Sequence, residues 1–397
     1  MRKILFVDDD PNILQALKRM LRPMRSEWDM NFINNGESAL ELMNSEVFDV
    51  IVTDIQMPGM DGASLLDKVK QKHPETVRIV LSGQASKEMV MKSVGVSHQF
   101  LSKPCDAEAL KSSITCACTL RNFIKNMESI PSLPSIYSEI NDALKSEDVS
   151  MQKIGKIIAK DVGMTAKMLH LVNSAFFGLR SPVSSPEKAV SILGLDIIKS
   201  LVLSIHIFSQ FNKKKFKQNF FEWLWKHSMM TGAIAKSIAK HENKPLSIID
   251  YSFTAGLLHD LGKLLLAVNR PDEYAEVIRL NKEENILAYK SEMSLIGVTH
   301  FDVGAYLLGF WGLPSPIVQA VALHHTPFKI IDKDFTPLTA VHFANAFLHA
   351  HEKGIEIQEE SIFDQNYMSF ISLEKLLPTW IDIAKELVNG EPNGKKN

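Results

Sequence analysis

The chain has 397 residues, of which 45% are hydrophobic and 23% charged, as is typical of a globular protein with two or three domains. Its 44 Lys and Arg residues nearly balance 46 Asp and Glu residues, and the net charge of -2 gives no general reason to expect nucleic acid or an anionic membrane as a partner. The three cysteines, Cys105, Cys116 and Cys118, lack metal-type spacing and indicate free thiols in a reducing environment.

Residues 1–122 alternate short apolar runs with amphipathic stretches. The apolar runs predict strands at residues 3–7, 30–33, 49–53, 77–81 and 99–101. The stretches between and after them predict helices at residues 12–21, 38–43, 63–72, 87–93 and 107–122. This alternation predicts an α/β domain with a doubly wound, flavodoxin-like parallel sheet of five strands.

Polar residues follow the predicted strands where each strand ends: Asp8 and Asp9, Asp54, Ser82 and Lys103. The carboxyl ends of parallel strands share one edge of the sheet, where such folds bind ligands. An acid at a strand end is also common as the cap of the next helix. Three carboxylates together, however, need a cation, and Mg2+ suits them best. A nucleophilic carboxylate, a metal ion, a lysine and a hydroxyl are the groups needed to move a phosphoryl group onto Asp54.

These residues carry a family resemblance. The segments DDDPN, TDIQMPGMDG, LSG and FLSKP, in this order, resemble the receiver domain of two-component response regulators. The resemblance covers residues 1–122. It implies that Asp54 is the phosphoryl acceptor, that Asp8 and Asp9 hold Mg2+ together with the backbone carbonyl of Gln56, and that Lys103 contacts the phosphoryl group. Ser82 would be the switch hydroxyl and Phe100 the aromatic switch residue, although Phe100 could also be an ordinary core residue.

A different pattern begins near residue 123. Two closely spaced prolines in the segment NMESIPSLPSI predict a linker over residues 123–134. Helical periodicity without strands then predicts an all-α domain over residues 135–350, a helical extension over 351–390 and a disordered tail over 391–397. The predicted helices cover residues 136–144, 151–160, 165–173, 186–193, 197–208 and 373–388. Ser150 and Ser185 are expected to cap two of them.

Several histidines lie on apolar helical stretches of this second part: His227, His259, His300, His324 and His325, with Asp260 and Lys263 beside His259. One such histidine is more often a hydrogen-bonded core residue, but neutral imidazoles can also bind a metal ion. The segments KDVGMTAKMLHLVNSAFFG, SILGLDIIKSLV and GLLHDLGKLLLA, among others, resemble the HDOD domain, a relative of the HD metal-dependent phosphohydrolases. The resemblance implies an all-α, HD-like fold that acts by binding proteins.

The sequence departs from the HD phosphohydrolases at the end of their ligand set. Asn345 stands where the resemblance places the last aspartate, and a neutral amide is a poor substitute for a carboxylate on a divalent ion. The Glu and the GYP turn of the cyclic-di-GMP phosphodiesterases do not follow His324 and His325. His227, His259 and Asp260 could still hold one metal weakly. We expect a degenerate site, formed by His227, His259, Asp260 and Asn345, in which a second metal is not bound.

Together these patterns predict a cytoplasmic response regulator phosphorylated on Asp54 by a sensor histidine kinase. Its HDOD domain would relay the signal to an unidentified downstream signalling protein. The receiver face that includes Phe100 would change its contacts with the HDOD domain or with another receiver in a homodimer. No signal peptide precedes the strand pattern that begins at Lys3, and no apolar run reaches about 18 residues, so no membrane span is expected.

Two alternatives remain at this stage. The first is a receiver-gated, metal-dependent phosphodiesterase that acts on a cyclic dinucleotide. The second is a nucleic-acid binder, because many receivers drive such outputs. The basic run 213–217 among phenylalanines could bind single-stranded nucleic acid, although such a run is more often a solvated loop. The near-neutral charge and the lack of a DNA-reading motif disfavour the second alternative.

Overall fold

The computed structural model describes residues 1–82, 99–103, 107–127, 131, 133–144, 150–174, 177, 179, 181–210, 218–329, 334–355 and 363–390. They form two compact units, which comprise Met1–Glu128 with Asp272–Gln319, and Ser129–Pro271 with Ala320–Asn397. The helix expected at residues 87–93, Cys105, the basic run 213–217 and the tail 391–397 lie outside the described residues, as do the side chains of Ser82 and Phe100.

A five-stranded sheet forms the centre of the first unit. Its strands are Arg2–Val7 (β1), Trp28–Ile33 (β2), Val50–Asp54 (β3), Val77–Ser82 (β4) and Gln99–Ser102 (β5). They lie in the order β2-β1-β3-β4-β5, and all neighbouring pairs are parallel. The predicted α/β fold is therefore confirmed, with β3, which ends in Asp54, at the centre of the sheet.

Helices cover both faces of this sheet. The described helices that alternate with or follow the strands are Pro11–Met20, Gly36–Ser45, Gly62–Lys72 and Ala107–Lys125. Side chains alternate between the two faces along a strand. Ile4 of β1 accordingly packs with Leu14 and Leu110 on one face, whereas Leu5 packs with Leu65 on the other.

The segment Asp272–Gln319 belongs to the same compact unit. It contributes to helices Pro271–Glu283, Ala288–Leu295, His300–Phe310 and Ser315–Leu323. Helix His300–Phe310 contacts helix Ala107–Lys125, where Cys116 Sγ lies 3.8 Å from Asp302 Oδ2. Nδ1 of His300 lies 2.7 Å from the buried carboxylate of Glu292, which also accepts a hydrogen bond from the His300 backbone N–H. The last helix that follows the sheet thus packs against a later part of the chain.

The second unit is helical throughout its described residues, as predicted. Its helices are Ser135–Leu144, Met151–Ala159, Val162–Val172, Pro186–Leu193, Leu195–Gln210, Gln218–His241, Leu246–Leu258, Leu261–Asn269, Pro337–Glu352, Gln365–Ile371 and Leu377–Gly390. Ser150 and Ser185 cap two of them, because each side-chain oxygen accepts a hydrogen bond from the backbone N–H three residues later, that of Lys153 and Lys188 respectively. Gly194 ends helix Pro186–Leu193 with φ at 86°, a conformation that favours glycine.

Three helices of this second unit pack against one another: Gln218–His241, Leu246–Leu258 and Pro337–Glu352. His227 and Asn345 lie on two of them, and His259 with Asp260 follows the third. Among the described helices of the whole chain, no single one is both long and apolar enough to cross a membrane. The pair Ala288–Leu295 and His300–Phe310 reaches that length only across a bend of 84°.

Candidate functional site

The carboxyl edge of the sheet brings two predicted acids and the predicted lysine together. Asp8 follows β1, Asp54 ends β3 and Lys103 follows β5. The ammonium of Lys103 lies 2.7 Å from Asp8 Oδ2 and 3.0 Å from Asp54 Oδ1. One lysine from the edge strand therefore bridges two carboxylates that belong to the two neighbouring central strands.

Asp9 completes the carboxylate cluster. One oxygen each from Asp8, Asp9 and Asp54 lies within 4.8 Å of the others. Three carboxylates and one ammonium leave two formal negative charges, which a divalent cation would neutralise. Carboxylate oxygens suit Mg2+. This ion usually binds one or two carboxylates directly and fills its remaining positions with water or phosphate oxygens. Gln56 lies two residues beyond Asp54 and is exposed, and the role of its carbonyl as a further ligand stays a prediction.

Burial and charge set the ionisation of this cluster. Asp8 is 2% exposed, and burial raises the pKa of its carboxyl group, an effect that the hydrogen bond from Lys103 partly offsets. Burial alone would lower the pKa of Lys103, but its hydrogen bonds to Asp8 and Asp54 raise the pKa overall. At neutral pH the lysine is therefore held in its charged form beside the candidate phosphoryl acceptor.

A tight turn after β3 fixes the position of Asp54. The backbone N–H of Gly62 donates to the carbonyl of Ile55 at 2.9 Å, and Asp61 caps the following helix by accepting the N–H of Ser64 at 2.7 Å. A Cβ atom on Gly62 would lie only 2.0 Å from the carbonyl oxygen of Asp54. In the sequence Gly62 is only the last residue of the segment TDIQMPGMDG, because the close approach of two backbone segments leaves no pattern there.

The remaining predicted residues of this site are only partly described. Ser82 is the last residue of β4 and pairs with Ser102, and Phe100 lies in β5 opposite Val80. Ser82 therefore lies at the same edge of the sheet as Asp54. The side chains of Ser82 and Phe100 are outside the described residues, and their predicted switch roles stay predictions.

In the second unit, the structure brings together all four residues of the predicted degenerate site. His227 Nε2 lies 3.0 Å from Asn345 Oδ1 and 3.8 Å from Asp260 Oδ2, and His259 Nε2 lies 3.2 Å from the same Asp260 oxygen. His324 joins them, with Nε2 at 3.8 Å from Asp260 Oδ1. His259 and Asp260 are fully buried, and burial lowers the pKa of His259 although Asp260 opposes the shift.

Lys263 provides Asp260 with a positive charge. Lys263 lies about one helical turn after Asp260. Its ammonium is 2.7 Å from Asp260 Oδ2 and 5.7 Å from the centre of the Trp223 ring. Lysine and aspartate are both buried. Sequence reasoning noted Lys263 only as a neighbour of the pair, because spacing does not reveal which way a buried ammonium points.

The degenerate site does not fit the metal centre of an HD phosphohydrolase. His227, His259 and Asp260 do place one ligand atom each within 4.8 Å of the others. However, the one carboxylate among them already has the ammonium of Lys263 at hydrogen-bonding distance. The fourth position holds the neutral amide of Asn345, which binds a divalent ion less well than a carboxylate does.

Two residues that sequence reasoning missed lie beside His227. Glu352 Oε1 is 3.1 Å from His227 Nδ1, and His349 Nδ1 is 3.8 Å from Glu352 Oε2. Their spacing of three residues puts both on one face of helix Pro337–Glu352. The signal in the sequence was an ordinary H-x-x-E pattern, and nothing in it indicated that His227 would lie opposite.

The buried histidines predict that acid destabilises the second unit. Burial lowers the pKa of His342, whose Nδ1 lies 2.8 Å from the carbonyl oxygen of His324. A histidine whose pKa is lower in the folded state stabilises the fold above its unfolded pKa of about 6.5, and this stability is lost as the pH falls. Between pH 7 and pH 5, we expect the free energy of unfolding of His342→Gln to fall by about 1 kcal/mol less than that of the wild type.

Urea unfolding of the full chain across this pH range measures the effect. His170→Gln is the control, because His170 is exposed on helix Val162–Val172. An identical pH dependence in wild type and His342→Gln would contradict the prediction.

Comparison with known proteins identifies the two domains of the chain. Residues 4–115 match the model of the response regulator receiver domain, and residues 130–327 match that of the HDOD domain. An uncharacterized protein of Treponema pallidum is 31% identical over 222 residues, which are 55% of this chain and 42% of that protein. A cyclic di-GMP phosphodiesterase of Thermotoga maritima is 35% identical over 125 residues, 31% of this chain and 32% of that protein. The chain thus spans less than half the length of these relatives.

A solved structure supports the fold of the helical part. The HDOD domain protein of unknown function from Geobacter sulfurreducens superposes with a TM-score of 0.57 at 24% identity, over 70% of this chain and 98% of that one. At this identity the match concerns the fold alone. Together with the two matching domain models, it leads to one conclusion. The chain carries a response regulator receiver domain at residues 4–115, followed by an HDOD domain at residues 130–327.

Proposed function

We propose that Asp54 accepts a phosphoryl group from a sensor histidine kinase, and that the HDOD domain passes the signal on by binding a downstream protein. The observation that carries this proposal is the position of Lys103, whose ammonium lies between Asp8 and Asp54 with Asp9 in the same cluster. A phosphoryl group on Asp54 would meet this ammonium directly.

The chemistry follows from these groups. An oxygen of Asp54 attacks the phosphorus of the kinase phosphohistidine, so that an O–P bond forms as the P–N bond breaks and its electron pair stays on the imidazole nitrogen. Lys103 neutralises charge on the transferred oxygens. Mg2+, held by Asp8, Asp9, Asp54 and the carbonyl of Gln56, would supply further charge neutralisation when bound. Asp8 holds Lys103 in place through its 2.7 Å contact.

A path for the signal starts at the same edge of the sheet. Ser82 ends the strand next to Asp54, and this strand pairs with β5, which contains Phe100. Helix Ala107–Lys125 follows β5 and contacts helix His300–Phe310, part of the HDOD domain. Phosphorylation would draw hydrogen-bond donors such as the hydroxyl of Ser82 toward the new negative charge, and it would thereby change the contact between these two helices.

Protein binding is a better-supported output than catalysis. In the degenerate site, Asp260 has Lys263 as its counter-ion and Asn345 replaces a carboxylate. A hydrolytic site with two metal ions needs more carboxylates than these residues offer. The alternative, hydrolysis of a cyclic dinucleotide, is favoured by one observation, the similarity to the cyclic di-GMP phosphodiesterase of Thermotoga maritima.

Phosphorylation by a small donor tests the proposal. Full-length protein incubated with acetyl phosphate and Mg2+ should gain one phosphoryl group by intact-mass measurement, and Asp54→Asn should gain none. Asp67→Asn is the matched control, because Asp67 is an exposed acid on helix Gly62–Lys72. A phosphoryl group of equal yield on Asp54→Asn would overturn the assignment of the acceptor.

The output is tested separately. A pull-down with phosphorylated wild type and with treated Asp54→Asn should capture a partner only in the first case. Purified, phosphorylated protein should leave cyclic di-GMP intact in the presence of Mg2+ or Mn2+. Hydrolysis that disappears in Asp260→Asn would instead establish the enzymatic alternative.

A further inference from the structure

A second group of ligand-type side chains surrounds His227, on the side away from Asp260. His349 and Glu352 lie at the end of helix Pro337–Glu352, and His227 lies on helix Gln218–His241. One ligand atom from each of the three residues lies within 4.8 Å of the other two. The cluster therefore combines two imidazoles and one carboxylate from two packed helices.

The distances are close to those of a metal centre. Metal–nitrogen and metal–oxygen bonds of about 2.0–2.2 Å put neighbouring ligand atoms about 3.0–3.5 Å apart. Here His227 Nδ1 lies 3.1 Å from Glu352 Oε1, and His349 Nδ1 lies 3.8 Å from Glu352 Oε2. Small rotations of His349 and Glu352, each of which has a side chain 33% exposed, would close the remaining gap.

The environment of His227 also favours an ion at Nδ1. Its other nitrogen, Nε2, lies 3.0 Å from Asn345 Oδ1, which can only accept a hydrogen bond. A neutral ring with its proton on Nε2 presents the lone pair of Nδ1 to the carboxylate of Glu352. In this tautomer two acceptors face each other at 3.1 Å, which a shared proton or a cation bound beside them would make favourable. The Asn345 amide thus acts as the outer partner that orients a metal-binding histidine.

We propose that His227, His349 and Glu352 bind a divalent transition-metal ion. Two imidazole nitrogens and one carboxylate favour Zn2+ or a related ion over Mg2+, which prefers oxygen ligands. Three protein ligands leave at least one coordination position for water or an incoming group. This site is separate from the His259–Asp260 pair, to which the expectation of no second metal applied. It uses Nδ1 of His227, whereas Nε2 faces Asn345 and Asp260.

Co2+ and Zn2+ titrations of the metal-stripped, full-length chain test this proposal. All variants are made in an Asp9→Asn, Asp54→Asn background, which removes two carboxylates of the receiver cluster. We expect one bound ion, with Co2+ giving visible absorption typical of nitrogen ligation. His349→Gln and Glu352→Gln should each weaken binding by at least about tenfold. Glu352→Gln is nearly isosteric at a helix end and should fold normally.

Two controls separate this site from its neighbours. His351→Gln changes an exposed histidine on the same helix, and the paired change Asp260→Asn with Lys263→Met removes both charges beside the opposite nitrogen of His227; both variants should bind the ion as the parent chain does. Unchanged affinity in Glu352→Gln and His349→Gln would overturn the proposal. Loss of binding in the paired Asp260→Asn, Lys263→Met variant with full binding in Glu352→Gln would do so as well, because it would place the ion at the His259–Asp260 pair.

Discussion

Replacement of Lys263 by methionine should destabilise the HDOD domain by about 3–5 kcal/mol, because it leaves the charge of Asp260 buried without its ammonium partner. Asp260 is fully buried, and Lys263 Nζ lies 2.7 Å from its Oδ2. Methionine has a similar length, so the main change is the loss of the charge, together with the contact of the ammonium with the Trp223 ring. The free energy of unfolding of the full chain, measured with urea, gives the effect.

A double-mutant cycle isolates the pair. Lys263→Met combined with Asp260→Asn should recover most of the lost stability, because the buried charge is removed together with its partner. Lys236→Met is the matched control, since Lys236 also lies over an aromatic ring, that of Phe253, but has no carboxylate within ion-pair distance among the described residues. The control should lose no more than about 1 kcal/mol. A loss of that small size in Lys263→Met would contradict the assignment of Lys263 as the counter-ion.

Gly62→Ala should both destabilise the receiver and slow phosphorylation of Asp54. The added methyl group would lie 2.0 Å from the carbonyl oxygen of Asp54, so backbone atoms on one side must move. Overpacking of this kind costs about 1–3 kcal/mol or more. A displacement of about 1 Å at the acceptor can cost on the order of a hundredfold in rate. The rate of phosphoryl gain from acetyl phosphate and the thermal midpoint measure the two effects.

Gly163→Ala provides the comparison for this prediction. Gly163 also lies in the first turn of a helix, and the nearest atom to an added Cβ is Asp161 Oδ1 at 3.4 Å. That change should leave stability unchanged or raise it by about 0.4–1 kcal/mol. If Gly62→Ala behaved like Gly163→Ala in both measurements, the close approach at Asp54 would have no role in positioning the acceptor.

The receiver fold could be predicted from the sequence because its signals are local. Apolar runs such as residues 49–53 predict strands. The carboxyl ends of parallel strands lie at one edge of the sheet, so the proximity of Asp8, Asp54 and Lys103 follows from the topology. The role of Gly62 could not be predicted in this way, because it depends on the distance between two backbone segments.

The HDOD site was predictable only where a family pattern named its residues. Asn345 was placed by that pattern, and it lies 3.0 Å from His227. The contact between His227 and Glu352 spans 125 residues and depends on how two helices cross, which periodicity within each helix does not determine. Lys263 stands beside the His259–Asp260 pair in the sequence. Its ion pair with Asp260 could not be predicted, because spacing along the chain does not show which way a buried side chain points.

The excess of negative charge at the carboxyl edge of the sheet has a thermodynamic consequence. Burial raises the pKa of Asp8, so its charged form at neutral pH works against folding, and Asp9 and Asp54 add to the repulsion. A cation that binds only the folded chain returns this stability by linkage, amounting to about 2.7 kcal/mol at a hundred times its dissociation constant. If the proposed Mg2+ site is filled, the stability of the receiver should rise with the concentration of free magnesium, and chelation should lower it.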